Sequence, residues 1–358
     1  MAESLVLRER PWYSPPKLKQ ILAEVRRYPV IPITVILLLL VVPAIGAHWI
    51  APHDPYDGDL NERLLPPVWV GEDTNVRTVV DRITDRGNQF TVGEATRQIQ
   101  GGKATLITTA GEDPDRPVAL GDQLLEVKQA GGQGQYLLGT DKVGRDILSR
   151  IIYGSRISVI VAGIAIFISG AIGATLGITA GYFGGWVDSL LMRLVDISLS
   201  IPIILMALVL VTALGASYQT IVIVLVIFLW AQYARQARGE TLTVRVQDFI
   251  GRAKVAGSSD VRIMLRHVFP NVFNSLVVLA TLQVGFVIIL EASLSFLGAG
   301  IPRPNPAWGL MVSDGRELII SSWWVSLFPG LAILLVVMSM NLMGDWLRDK
   351  LDPKQRQV

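Results

Sequence analysis

The sequence predicts an all-α membrane protein, a bundle of six spanning helices with a small β-rich insert between the first and the second. Three observations carry this. Hydrophobic residues make up 51% of the chain and charged residues only 17%, against about 25% charged in a soluble domain. Apolar runs of membrane length recur along the chain, and the mean hydropathy is +0.46. Between the first two runs lies a long polar stretch divided by turn residues into short apolar segments.

The first run is Val30 to Ile50, preceded by Arg26 and Arg27. A signal peptide has an apolar region of roughly 7–15 residues near the terminus. This run is longer and follows a polar leader, so it reads as an uncleaved span. The others are Ile157 to Ala180, Leu190 to Leu214, Ile221 to Ala234, Val272 to Ser293 and Trp324 to Met343. Pro32, Pro43, Pro202 and Pro329 fall inside these runs, which a bundle tolerates because neighbouring groups satisfy the freed carbonyls.

Orientation follows from basic residues in the short flanks. The leader (residues 1–29) carries Arg8, Arg10, Lys17, Lys19, Arg26 and Arg27. Arg235, Arg238, Arg245, Arg252, Lys254, Arg262 and Arg266 separate spans four and five, and Arg348, Lys350, Lys354 and Arg356 lie in the tail after span six. Six spans place these three segments on one side, so both termini are expected in the cytoplasm and residues 51–155 outside.

That outer segment is rich in acids, among them Asp54, Asp57, Asp59, Glu72, Asp73, Asp81, Glu112, Asp113 and Asp115. From about Val68 to Tyr136, the stretches Phe90-Thr91-Val92, Ala104 to Ile107 and Leu124 to Val127 predict strands, with a helix near Val76 to Ile83.

Several chemistries are excluded. There are no cysteines, so no thiol catalysis or disulfide. His48, His53 and His267 are too scattered to suggest a metal site. The net charge of +2, with no Lys/Arg-dense segment, gives no nucleic-acid footprint. Gly101-Gly102-Lys103 fails as a phosphate loop, because Arg97 stands where the first glycine belongs and Ala104 where the hydroxyl belongs.

The segment between spans four and five is the most informative. From Asp248 the segment reads as a short amphipathic helix, with Gly257 as a break and Ser258 or Ser259 as the cap of a second helix that meets Pro270 before re-entering the membrane. Such an element offers a compact knob to a soluble partner. It resembles the EAA loop of ABC importer permeases. Ala253 and Gly257 match, Phe269-Pro270 stands for Leu-Pro, and Gly251 and Arg252 replace the glutamate and first alanine. Ser258 and Asp260 complete the candidate ATPase-coupling set within 249–270.

Leu138 to Asp146 is similar to the G-T-D-x-x-G-R-D signature of dipeptide/oligopeptide permeases, through Gly139, Thr140, Asp141, Gly144, Arg145 and Asp146. Helix capping and salt bridging are the roles expected of these. Tyr153 to Ser158, Ala180 to Gly185, Leu294 to Gly298, Pro306 to Gly309 and the tail Asn341 to Pro353 fit the same family, the tail pointing to its C-type subunit. The blocks cover the chain except the insert.

The resemblance implies a type I importer permease in a bacterial cytoplasmic membrane, paired with a homologous B-type permease, two cytoplasmic ATPases and an extracytoplasmic solute-binding protein. It implies no cofactor and no catalysis in this chain, since ATP and Mg would be bound by the ATPases. Peptides are the expected solute, with nickel, an opine or an oligosaccharide as alternatives. A secondary transporter or channel without an ATPase is the rival of another class. Within the membrane, Glu291 is a possible pathway residue, Asp188 a capping or ion-pair residue, and Arg193 a possible i, i+3 partner of Asp196.

Overall fold

The computed structural model describes residues 29–80, 89–107 and 116–351. The basic leader, the tail beyond Leu351, and Asp81, Glu112, Asp113 and Asp115 lie outside the described residues.

Among the described residues, five helices are long and apolar enough to cross a membrane: α1 (Val30–Ile50), α3 (Ile147–Phe183), α6 (Tyr218–Val244), α8 (Asp260–Phe296) and α10 (Trp324–Leu351). The predicted third span is the exception. It is a pair, α4 (Gly185–Ser200) and α5 (Ile203–Leu214), bent by 83°. Pro202 precedes α5 in an extended conformation, φ −62°, ψ 118°, because its ring and missing N–H stop a helix from continuing through it. Counting the pair as one span gives the expected six.

Prolines elsewhere are absorbed without a break. Leu37–Val41 and Met264–Val268 form π turns inside α1 and α8, each placed two residues before a proline, Pro43 and Pro270. The wider turn accommodates a carbonyl whose amide partner the proline removes. Pro270 was expected to mark a boundary before re-entry, yet α8 passes through it unbroken.

The bundle centres on α3 against α6. Membrane helices gain little from apolar burial against each other, so close backbone approach through small residues holds them. Gly173, Gly177 and Gly181 line this contact at four-residue spacing. A Cβ on Gly173 would stand 2.3 Å from the Trp230 carbonyl oxygen, and one on Gly177 2.3 Å from that of Ala234. Ion pairs close the same end: Asp188 of α4 accepts from Arg238 of α6 at 2.5 and 2.7 Å. Asp196 pairs with Arg235 at 2.9 Å rather than with Arg193 on its own helix, because α4 lies against α6.

Between α8 and α10, the short α9 (Trp308–Gly315) seats the fully buried Trp308, whose Nε1 donates to the Ile151 carbonyl at 2.9 Å.

The insert is a four-stranded sheet in the order β2-β1-β4-β3, formed by β1 (Asp73–Val80), β2 (Gln89–Thr91), β3 (Ala104–Leu106) and β4 (Gln123–Gln129). β1 runs parallel to β2 and antiparallel to β4, with Asn75 opposite Glu126, and β3 pairs antiparallel with β4. Helix α2 (Val92–Gln100) covers a core of Val79, Phe90, Ala95 and Leu124. Residues Val76 to Val80 are therefore strand, not the expected helix. β-branched Thr74, Val76, Thr78, Val79 and Val80 favour the pleated surface, and β4 supplies the ladder. The insert's helix begins instead at Thr91, whose hydroxyl and Glu94 form a capping box.

Candidate functional site

Two sites stand at opposite ends of the bundle. At the insert end, residues 139–150 are clamped onto the chain that follows α1. Thr140 is fully buried; its Oγ1 donates to the Glu62 carbonyl at 2.5 Å and accepts from the Leu65 amide at 2.9 Å. Asp141 accepts from the Val143 amide at 2.8 Å and from Arg145 Nε at 2.8 Å, and lies 3.7 Å from Arg150 Nε. Asp146 caps α3 by accepting from the Ser149 amide at 2.9 Å. Gly144 has φ +84°, and a Cβ there would stand 1.8 Å from the Asp59 carbonyl oxygen; at Gly139, φ +81°, a Cβ would stand 2.4 Å from that of Leu65. Tyr136 donates to Glu62, and that bond to a carboxylate pushes the Tyr136 hydroxyl up to about 12.

At the other end, α7 (Asp248–Val255) terminates on Gly257, φ +78°, with the Ser258 amide donating to the Ala253 carbonyl at 3.1 Å. Ser259, rather than Ser258, caps the next helix, accepting from the Arg262 amide at 3.4 Å. Asp260 is the first residue of α8. Fully buried Ile250 and Ile263 anchor the element to the bundle, Tyr182 donates to Asp260 Oδ1 at 2.7 Å, and Lys254 Nζ stands 5.1 Å from the Tyr182 ring centroid.

The rest of the loop faces outward. Val255 is 91% exposed, Arg252 is exposed, and a Cβ on Gly251 or on Gly257 would meet nothing within 4 Å. Gly251 and Arg252 border a depression of about 790 Å3 beside α7. Ala253 packs partly buried against the bundle core, while Phe269 and Pro270 lie in the first turn beyond the π turn of α8.

Glu291 is buried in α8, and its carboxylate accepts from Ser295 Oγ one turn on at 2.7 Å. Polar residues that the hydropathy reading passed over connect α6 and α8: Gln283 donates to Gln232 at 2.5 Å and Ser275 to Glu240 at 2.8 Å. Gln232, Gln236 and Glu240 recur every four residues on one helix face, a signal present in the sequence.

The profile of the family described as "Binding-protein-dependent transport system inner membrane component" matches residues 173–357. This chain belongs to that family. A second profile, "N-terminal TM domain of oligopeptide transport permease C", matches residues 34–67. The permease is 42% identical over 226 residues to the dipeptide transport system permease protein DppC of Alkalihalophilus pseudofirmus, covering 63% of this chain and 74% of that one. It is 44% identical over 220 residues to the glutathione transport system permease protein GsiD of Escherichia coli O157:H7, covering 62% and 73%. A solved inward-facing structure of the MetNI methionine ABC transporter superposes with a TM-score of 0.48 at 16% identity, covering 57% of this chain and 97% of that one. The protein is thus a multi-pass ABC importer permease subunit. The insert's sheet falls between the two matched segments.

Proposed function

We propose that this permease forms half of the translocation pathway of an ATP-driven importer of short peptides and couples to cytoplasmic ATPases through residues 249–270. A homologous B-type permease would complete the pathway, two ATPases would bind ATP and Mg, and an extracytoplasmic binding protein would deliver the solute. Both termini would be cytoplasmic and the insert outside.

The observation that carries the reading is the continuity of α8. The exposed knob at Gly257 adjoins the first residues of a helix that runs unbroken to Phe296, and buried Ile250 and Ile263 tie the knob to the bundle core. Movement of a partner bound at the knob therefore reaches the membrane interior as movement of a rigid rod. For ATP to drive the cycle, the partner must bind the two states of the bundle with different free energies. The names of the relatives, a dipeptide and a glutathione permease, support peptides as solute.

Gly257→Asp places bulk and charge at the knob. The expected result is that the unaltered permease co-purifies stoichiometrically with a Walker-containing ATPase, while the variant loses the ATPase and peptide uptake together. Normal uptake by the variant would sink the docking assignment. Absence of any ATPase from the unaltered protein would favour a secondary transporter or channel.

A further inference from the structure

A cavity of about 850 Å3 opens near the knob end of the bundle, between α6, α8 and α10. Unlike the apolar cleft between α3 and α8, lined by residues such as Phe167, Ile178 and Phe273, it sets charge, amides and hydroxyls beside apolar side chains such as Leu279 and Leu282. Glu240, Gln236, Ser275, Asn274 and Arg348 all line it. The Glu240 carboxylate is held in place: Ser275 Oγ donates to its Oε1 across the helix interface at 2.8 Å, and Gln236 Nε2 to the same oxygen at 3.3 Å. Its Oε2 accepts no hydrogen bond among the described residues. Arg348, in the last turn of α10, forms no ion pair with a described residue. The bonded pair Gln232–Gln283 extends the polar face from this cavity deeper along α6 and α8.

We propose that this cavity binds a zwitterionic short peptide, Glu240 receiving its terminal ammonium and Arg348 its terminal carboxylate. The proposal rests on the peptide-importer reading. Ionisable groups near a bilayer are costly and are retained where they line a wet cavity or meet a charged ligand. An acid with a free oxygen and a guanidinium in one cavity match the two ends of a free peptide. The side amides and hydroxyls that line the same cavity suit its backbone. The volume falls within the usual range for a small-molecule site. An oligosaccharide would call for neither charge.

The test is equilibrium binding of dialanine, N-acetyl-dialanine and dialanine amide to the full-length permease in nanodiscs. Each blocked peptide is expected to bind about tenfold more weakly than dialanine, as for the loss of one charge-assisted contact. Glu240→Gln should bind dialanine no better than the unaltered chain binds the N-acetyl form, and should no longer discriminate against N-acetylation. It should still discriminate against the amide, and Arg348→Gln should show the converse. A misfolded variant would lose both preferences at once, so the crossed pattern separates recognition from folding; if a variant does not insert, the three peptides on the unaltered chain decide. Equal binding of all three, or binding of none, overturns the site. Retained, end-selective binding by a chain that captures no ATPase would instead overturn the driven-importer reading and leave the site standing.

Discussion

The two ends of the permease use the same residue type to opposite purpose. Gly144 sits with its missing Cβ pressed against the Asp59 carbonyl, while Gly257, with a similar positive φ, faces open space. Around Gly144 the chain closes on itself: Thr140, Asp141, Arg145 and Asp146 are buried, and most of their side-chain polar atoms bond to the segment following α1 or to their own turn. Around Gly257 the chain leaves Val255, Val261 and Leu265 exposed. One end completes its packing alone. The other is anchored on two isoleucines and presents surface that only another molecule could bury.

That contrast can be broken most severely at Gly144. Gly144→Ala must push a Cβ into the Asp59 backbone at a left-handed φ, and a loss above about 3 kcal/mol is expected. The check is the fraction of detergent-extracted chain that stays monodisperse after stepwise heating, and a melting point within a degree or two of the unaltered chain would show that the clamp is not rigid. A smaller effect lies at Tyr136. Its hydroxyl holds its proton more tightly folded, at about 12, than unfolded, at about 10. The bond to Glu62 therefore contributes fully below pH 10 and is lost as pH rises through about 12. Thermal unfolding followed from pH 8 to 12 should show that decline, and Tyr136→Phe should flatten it while costing about 1 kcal/mol at pH 8. The smallest effect has the opposite sign. Gly251 is a helical glycine with free space around it, so Gly251→Ala should raise stability by about 0.5–1 kcal/mol. Destabilisation there would mean that the loop is packed more tightly than its exposure indicates.

What could be read from residue order differs along the chain for physical reasons. Five of the six apolar runs lie within single helices because hydropathy measures the cost of leaving lipid, and that cost does not depend on direction. For the same reason it is blind to the bend at Pro202, which was counted among the prolines that a bundle tolerates although it pushes Ile201 into an extended conformation. Helix α3 starts at Ile147, well before its apolar run, because Asp146 caps it ahead of Ser149, Arg150, Ser155 and Arg156, which interrupt the hydropathy. In the insert, the strands at Phe90, Ala104 and Leu124 followed from turn residues between short apolar stretches. The helix was misplaced because Val76 to Val80 were read without the Thr91–Glu94 pair that marks the true start. Near the membrane, the Arg193–Asp196 spacing suggested a pairing that Arg235 takes instead, since sequence separation carries no information about which helix lies alongside. The clamp shows the same limit: Asp141 and Arg145 are four residues apart and could be paired on paper, but the Glu62–Thr140 contact joins positions that only the fold brings together. The polar face of α6 was legible, at four-residue spacing, and was passed over.

The π turn at Met264–Val268 has a bearing on direction. It holds one residue more than an α-helical path through the same turn would, and one residue of an α-helix corresponds to about 100° of rotation about its axis. Everything N-terminal to that turn that moves with the start of α8, the Gly257 knob included, is therefore rotated by roughly this angle from where an uninterrupted helix would aim it. The compass bearing of the knob around the bundle is set by this π turn ahead of Pro270 and not by the residues at Gly257 itself.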